Sequence, residues 1–408
     1  MHDRACRHLR YMRPNTQRLT VLCVLHYANY GGPHNQVAVL CQSLCDRDID
    51  VLAAIPKGPD SAARRMSALG VRVLETDLHR VRKSINPIVN LKFMASMIGD
   101  VKRLRRIIRE ESVDLVQVCG LANPQGAIAA RLEGVPVVWQ LLGTVAPVYY
   151  RALLMPMVGF LSDVVMSTGT SVLRAHPLSS HVLRDVILFA PPVDVSVFAP
   201  SRETRRGVRE SFGIESSDVV VGTVGNWNRT KAHEVLVDAV CPLLRDDKRV
   251  HLWIVGQPSP THARYYDREV RGRVRRHGFL TSRRVRFISP EDNVATLMQA
   301  MDIFVLSSKT EGIPTAVLEA MSCGLAVVAT GVGGVPEVLV DGQTGRIVES
   351  GSPSKLRATV EALIQSSHER VELGAQARQV AVHSFSAGRC ADVHCEAYRR
   401  ALESDGGA

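Results

Sequence analysis

The sequence predicts an α/β chain of two doubly wound, Rossmann-like domains facing each other across a cleft. Three observations carry that reading. At 408 residues the chain exceeds what one hydrophobic core comfortably serves. Short β-rich runs alternate with amphipathic stretches along nearly all of it, the pattern of parallel sheets covered by helices. A proline-rich extended run, Ala190-Pro-Pro-Val-Asp-Val-Ser-Val-Phe-Ala-Pro200, separates two such series near the middle.

In the first series, strands are expected at 19–26, 51–55, 71–74, 115–118, 135–141 and 164–167. In the second they are expected at 219–224, 251–255, 285–288, 303–306, 326–330 and 346–348. Open sheets of this kind bind ligands beyond the carboxyl ends of their strands, so the loops leaving those ends are where chemistry is sought.

Composition narrows the function. With 46% hydrophobic and 22% charged residues the chain is globular. The longest nearly apolar stretch, Leu153–Val165, is broken by Pro156, Gly159, Ser162 and Asp163, and is too short to span a bilayer. The first residues carry His2, Asp3, Arg4, Arg7, His8 and Arg10 with no apolar segment behind them, unlike a secretory signal. Nine cysteines without a C-x-x-C favour a reduced, cytoplasmic chain without zinc. The net charge of +10 favours an acidic partner. Nucleic acid is not expected, because aromatics are only 5% and do not interleave with the arginines. From Leu91 to Ile108 apolar residues keep helical spacing, and Lys102, Arg103, Arg105, Arg106 and Arg109 crowd the end. This basic face is read as a solvated surface or as peripheral contact with an anionic membrane.

The most informative stretch runs from Ser307 to Gly324. A buried strand leads into a loop holding Glu311, then Pro314 as the first residue of a helix, with Gly324 at its end. The helix start exposes N–H groups that can hold a diphosphate. Glu311 and Glu319 are suited instead to accept hydrogen bonds from vicinal hydroxyls, on a ribose and a sugar. A second strand–glycine–helix passage, Gly225-Asn226-Trp-Asn-Arg229-Thr-Lys231, supplies cations for a leaving diphosphate, with a helix beginning near Lys231. A third, Thr330-Gly-Val-Gly333-Gly334-Val-Pro336, again brings backbone amides to a strand end. In the first half, Tyr30-Gly31-Gly32-Pro33-His34 repeats the arrangement, with His26 and His34 as candidate substrate contacts.

These passages resemble the retaining nucleotide-sugar glycosyltransferases of the GT-B fold, the family four, group 1 type. Glu311 and Glu319 stand at the spacing of that family's E-x7-E motif, followed by Ala320, Met321 and Gly324. By that resemblance Glu319 binds the donor ribose and Glu311 the transferred sugar. Lys231, with Arg229, holds the diphosphate, and Asn226 stands in the same loop. The amides of Gly312, Ile313, Pro314-Thr315 and the Gly333-Gly334 turn complete the donor site, with Gly31-Gly32 as the early glycine loop. The resemblance implies domains at 1–195 (acceptor side) and 196–385 (donor side), and a final helix at 386–408 crossing back to the first. It further implies a metal-independent reaction, no cofactor, and a UDP-, GDP- or ADP-sugar donor. The acceptor expected from the resemblance and the basic helix is a glycan or lipid-linked hydroxyl in cell-surface polysaccharide or glycolipid synthesis, at the inner face of the membrane.

The sequence departs from the family in three places. Asn226-Trp227 stand where the family's cationic loop usually reads Gly-Arg-Leu before the lysine, and Ala232 replaces a glycine after it. The strand ends Gln117-Val-Cys119-Gly120 and Gln140-Leu-Leu-Gly143 lack histidine. Two rival readings follow: a non-catalytic nucleotide-sugar-binding partner subunit, and a GT-B-fold epimerase. Asp46-Arg-Asp48 spells a short D-x-D but joins a helix to a strand, and is read as a polar turn. Dinucleotide, P-loop, nucleophile-elbow and zinc-protease signatures do not occur.

Overall fold

Val, Ile and Leu dominate most of the short runs that become strands, and the central strands are buried on both faces, as parallel sheets require. The computed structural model describes residues 18–58, 62–79, 87–121, 123–144, 146–257, 262–289 and 293–404, with backbone only over 87–95. The charged residues His2–Arg10 lie outside the described residues, as do the side chains of Leu91 and Met94. The chain divides into two units. The first runs to Pro192 and resumes at Ala387, and the second is Val193–Ser386.

In the first unit the strands are β1 Leu19–Val24, β2 Ile49–Pro56, β3 Arg72–Thr76, β4 Leu115–Cys119, β5 Val137–Leu141, β6 Val164–Thr168 and β7 Val186–Phe189. They form one parallel sheet in the order β3-β2-β1-β4-β5-β6-β7, with Val21 opposite both Val51 and Leu115. The helices are α1 Gly32–Cys45, α2 Ala62–Ala68, α3 Pro87–Glu110, α4 Pro124–Glu133, α5 Val148–Leu161, α6 Gly169–Ala175 and α7 Ser179–Val182. Helices α3, α4 and α5 bury Leu104, Ala127, Met155 and Val158 against one face of the sheet, including Trp139 of β5.

The second unit is a parallel sheet of β8 Val219–Val224, β9 Val250–Val255, β10 Val285–Ile288, β11 Ile303–Leu306, β12 Ala326–Thr330 and β13 Arg346–Val348, ordered β10-β9-β8-β11-β12-β13. Its helices are α8 Arg202–Phe212, α9 His233–Asp246, α10 Ala263–Tyr265, α11 Gly272–Arg276, α12 Val294–Ala300, α13 Thr315–Ser322, α14 Val335–Val338, α15 Pro353–Gln365 and α16 Ser367–Ser384. A π-helical turn, Tyr266–Arg271, joins α10 to α11. Asp302 anchors the start of this sheet. It takes Arg205 and Arg209 as ion-pair partners at 2.6 and 3.0 Å and accepts from Val220 N–H at 2.8 Å.

The last helix, α17 Ala387–Ser404, belongs to the first unit and packs on α1 and on β5, β6 and β7. Its Tyr398 hydroxyl donates to Gln117 Oε1 at 2.6 Å, and His394 Nε2 lies 3.0 Å from Gln140 Nε2. Burial lowers His394 to about 4, so the ring is neutral, with Nδ1–H donating to the Cys390 carbonyl and Nε2 accepting from Gln140. The two strand-end glutamines are therefore occupied with holding the final helix.

Several details differ from the sequence reading. Strand β7 is additional. Pro314 is extended and stands just ahead of helix α13 rather than being its first residue. Helix α9 begins at His233, two residues after Lys231. The basic helix is longer at both ends than its periodicity suggested. Asp46 and Asp48 do lie in the turn between α1 and β2, where Asp48 N–H donates to the Cys45 carbonyl.

Candidate functional site

Strand order reverses between β8 and β11, so the loops leaving their carboxyl ends flank the switch point of the second sheet. The β8 loop, 225–232, is shaped by its own side chains. Asn228 Oδ1 accepts from the N–H groups of Thr230 and Lys231 at 3.0 and 3.2 Å, a local turn of the kind asparagine favours. Trp227 is buried and stacks on Tyr266, with ring centroids 4.4 Å apart and planes within 7°. Ala232 has φ +48°, a conformation glycine adopts freely and alanine does not, which gives a steric reason for the glycine usual in this position.

The β11 loop meets it directly. Ser307 Oγ lies 2.9 and 3.1 Å from the carbonyls of Lys231 and Ala232, and Lys309 N–H donates to the Thr230 carbonyl at 2.8 Å. Lys309 Nζ pairs with Glu234 at 2.8 Å, and the Tyr265 hydroxyl donates to the other oxygen of Glu234 at 2.5 Å. These contacts bring Lys231 Nζ to 2.7 Å from Glu311 Oε1, an ion pair largely screened from water. Ser308 Oγ donates to the same carboxylate oxygen at 2.6 Å. Thr330 and Ser350 hydroxyls both donate to the Ser308 carbonyl, at 2.7 and 3.1 Å, and fix the loop from behind.

The β12 loop closes the group. Gly333 has φ +57°, and a Cβ there would collide with the Glu311 carbonyl oxygen. Gly334 N–H donates to the Gly312 carbonyl at 2.8 Å. Both glycines are therefore required by close backbone approach. Ile313 is buried against Gly334, and Pro314 leads into α13. Val317 N–H is the first to reach back, to the Pro314 carbonyl at 3.0 Å, so the Thr315 and Ala316 amides sit at the orphan positions of a helix start. Glu319 lies on α13. Its burial pushes the carboxyl up to about 7, opposed by the nearby Lys231 charge.

The structure thus groups Lys231, Glu311, Gly312, Ile313, Pro314, Thr315, Glu319, Gly333 and Gly334. Arg229 is directed elsewhere: its guanidinium stacks 4.8 Å over the Tyr265 ring. Asn226 is exposed at the start of the same loop. Gly31 and Gly32 belong to the first unit, where Gly31 precedes α1 and a Cβ at either position would meet open space. His34 is fully buried, with Nε2 2.9 Å from the Tyr27 carbonyl. His26 Nδ1 lies 3.2 Å from the Cys119 carbonyl at the β1/β4 switch point. Sequence reasoning missed Ser308, Lys309 and Glu234. The strand-then-serine pair was visible, but no spacing marked it. Among the described residues no group of three His, Cys, Asp or Glu could hold a metal ion.

Comparison with known proteins extends over both units. The family model described as Glycosyltransferase Family 4 matches residues 30–222, and that described as Glycosyl transferases group 1 matches residues 218–366. D-inositol 3-phosphate glycosyltransferase of Mycobacterium leprae is 31% identical over 241 residues, which are 57% of this chain and 51% of that protein. A D-inositol 3-phosphate glycosyltransferase of Catenulispora acidiphila is 31% identical over 228 residues, 52% of this chain and 50% of the relative. The chain thus spans about half the length of the curated relatives it matches. Among solved structures, Anabaena HepE in complex with UDP is similar with a TM-score of 0.77 at 18% identity, over 93% of this chain and 99% of that one. Sucrose-phosphate synthase of Thermosynechococcus elongatus is similar with a TM-score of 0.77 at 17% identity, over 95% and 100%.

Proposed function

The chain belongs to the glycosyltransferases of group 1 and family four, and from that premise we propose that it moves a sugar from a nucleotide diphosphate donor to an acceptor hydroxyl. The observation that carries the reading is the Lys231–Glu311 pair at the switch point, beside the start of α13. In this reading the donor diphosphate takes Lys231 as its counter-ion and the N–H groups of Gly312, Ile313 and Thr315 as donors. Glu311, released from the lysine, accepts from hydroxyls of the transferred sugar, and Glu319 accepts from the ribose. Ser308 holds Glu311 in place when the lysine turns to phosphate.

The acceptor enters on the face from which the diphosphate leaves, so the anomeric configuration is retained. The leaving phosphate takes the acceptor proton, and no metal takes part. Arg229 reaches the diphosphate only by leaving Tyr265. The UDP complex of HepE supports a nucleotide donor for this fold. The acceptor is a glycan or lipid-linked hydroxyl of cell-surface polysaccharide or glycolipid synthesis, met at an anionic membrane.

The experiment is direct: Glu311→Ala and Lys231→Ala are each expected to lower turnover at least tenfold, about 1.4 kcal/mol of barrier. Wild-type rates in both variants would overturn the assignment. A second reading is favoured by one observation, the commitment of Gln117 and Gln140 to α17 in place of strand-end histidines. It is a non-catalytic donor-binding subunit, which would bind nucleotide sugar and turn over no acceptor.

A further inference from the structure

Helix α5 carries fourteen residues, Val148–Leu161, and a single charged one, Arg151. Arg151 is buried and donates to the Ala175 carbonyl. The outward side is apolar instead. Tyr149, Leu153 and Phe160 are 74%, 74% and 83% exposed, and Pro156 is exposed between them. Positions 149, 153, 156 and 160 repeat at helical spacing, so they form one continuous stripe, extended by exposed Val148. A core-facing helix does not carry such a stripe on its solvent side without something to cover it.

The surroundings name the covering partner. Helices α3, α4 and α5 lie in one layer on the same face of the sheet, and each runs back antiparallel to its strands. Arg105 and Arg109 of α3 reach across to Glu133 of α4 at 2.6 and 2.7 Å, and the next outward residue of α4 is exposed Leu132. Lys102 and Arg106 make no ion pair among the described residues, and they line a hollow with Arg105, Arg109 and the single acid Glu110, so the α3 edge of this layer is net cationic. On the other side of α5, a Cβ at Gly159 would strike the Val182 carbonyl, so α7 packs closely there. The segment between carries exposed Arg174, Leu178, His181 and Arg184. From Val148 to Arg184 the one acid is Asp163, and it is paired with Arg131 at 2.8 Å.

An uncharged aromatic and aliphatic stripe between cationic borders is the chemistry of a helix lying in the headgroup region of an anionic bilayer. We propose that the outer face of the α3–α4–α5 layer rests on anionic lipid, with Tyr149, Leu153, Pro156 and Phe160 inserted and the cations of α3 and of 174–184 on the headgroups. A second copy of this chain fits less well, because a two-fold contact would set cationic borders against each other. The stripe begins near the carboxyl edge of β5, the edge at which such sheets meet their ligands. The inference deepens the membrane contact of the proposed function and is tested without turnover.

The full-length chain is floated with vesicles of phosphatidylcholine alone or with phosphatidylglycerol, across a salt series. The wild type is expected to bind the anionic vesicles. Leu153→Asp with Phe160→Asp is expected to lower partitioning at least tenfold at every salt concentration. Lys102→Glu with Arg106→Glu is expected to weaken it mainly at low salt, where headgroup attraction counts most. Tyr149→Ala serves if the double aspartate variant fails to fold, and is expected to weaken binding severalfold. Unchanged partitioning in the stripe variants would overturn the proposal. So would a wild type that ignores both vesicles but sediments as a dimer broken by the same substitutions. Donor binding followed by thermal shift in the same samples separates the two readings. If it persists while vesicles are ignored, the surface assignment fails and the transferase reading stands.

Discussion

At the residue scale, Glu319 is the group whose environment most clearly departs from that of an ordinary carboxylate. Its carboxyl is pushed up to about 7 by burial, against 4.5 in an unfolded chain. Between those values the native state holds a proton that the unfolded state lacks. Stability therefore falls as pH rises through this window, by up to roughly 3 kcal/mol. Glu319→Gln removes the titration, so its stability is expected to change much less between pH 5 and pH 8 in denaturant unfolding. Equal slopes in both proteins would contradict the assignment. Lys231 and Glu311 form the second test. A double-mutant cycle with Lys231→Met and Glu311→Gln is expected to show a coupling of about 0.5–3 kcal/mol, read from the same unfolding curves. These three residues were legible in the sequence because strand ends, a proline just ahead of a helix and a fixed carboxylate spacing coincide. Ser308 was not, since a serine after a strand carries no pattern of its own. The position of Arg229 was not legible either. Its rotamer is set by Tyr265, which lies far along the chain.

At the element scale, the glycine turns decide whether the loops can meet. Gly333→Ala combines a left-handed backbone with a collision against the Glu311 carbonyl, and is expected to cost at least about 2 kcal/mol and to impair donor binding. Gly351 is the control. It has φ +77° with nothing near its missing Cβ, so Gly351→Ala is expected to cost only about 1 kcal/mol and leave donor binding unchanged. Similar losses in both variants would mean that close packing at Gly333 is unimportant. Twelve of the strands were readable as short apolar runs between turn signals, because a parallel strand buried on both faces is almost continuous Val, Ile and Leu. Strand β7 escaped because it is four residues long, exposes Leu188, and runs into the prolines that follow. A run that short is a strand only because β6 lies beside it. Ala232 was readable as a departure from the family, while the positive φ that explains it is visible only in the structure.

At the scale of the whole molecule, the chain passes from the first unit to the second at Pro192 and returns at Ser386. Val193 N–H donates to the Phe385 carbonyl at 2.8 Å, so the two passages lie side by side. The return matters energetically, because α17 completes the first unit's core with Ala391, Ala397, Tyr398 and Ala401. Tyr398→Phe would leave the buried Gln117 oxygen without its donor, and is expected to cost about 1–3 kcal/mol in chemical unfolding. No loss would mean that the buried glutamines are satisfied some other way. Among the described residues no helix is long and apolar enough to cross a membrane. The membrane contact inferred here is interfacial and rests on α5, whose apolar stripe could be spelled out in the sequence but not assigned to the solvent side. An apolar helix face usually meets a core, and only the fold shows that the inward side of α5 is already occupied by Met155 and Val158.

Thermal unfolding with UDP-, GDP- and ADP-sugars asks most directly whether the loops after β8, β11 and β12 hold a nucleotide diphosphate sugar. A donor at about 100 times its dissociation constant adds roughly 2.7 kcal/mol to the native state. A selective rise in melting temperature with one nucleotide class is expected, lost in Glu319→Ala. A chain that melts identically with every donor, or a shift that survives in Glu319→Ala, Lys231→Ala and Glu311→Ala alike, would contradict it.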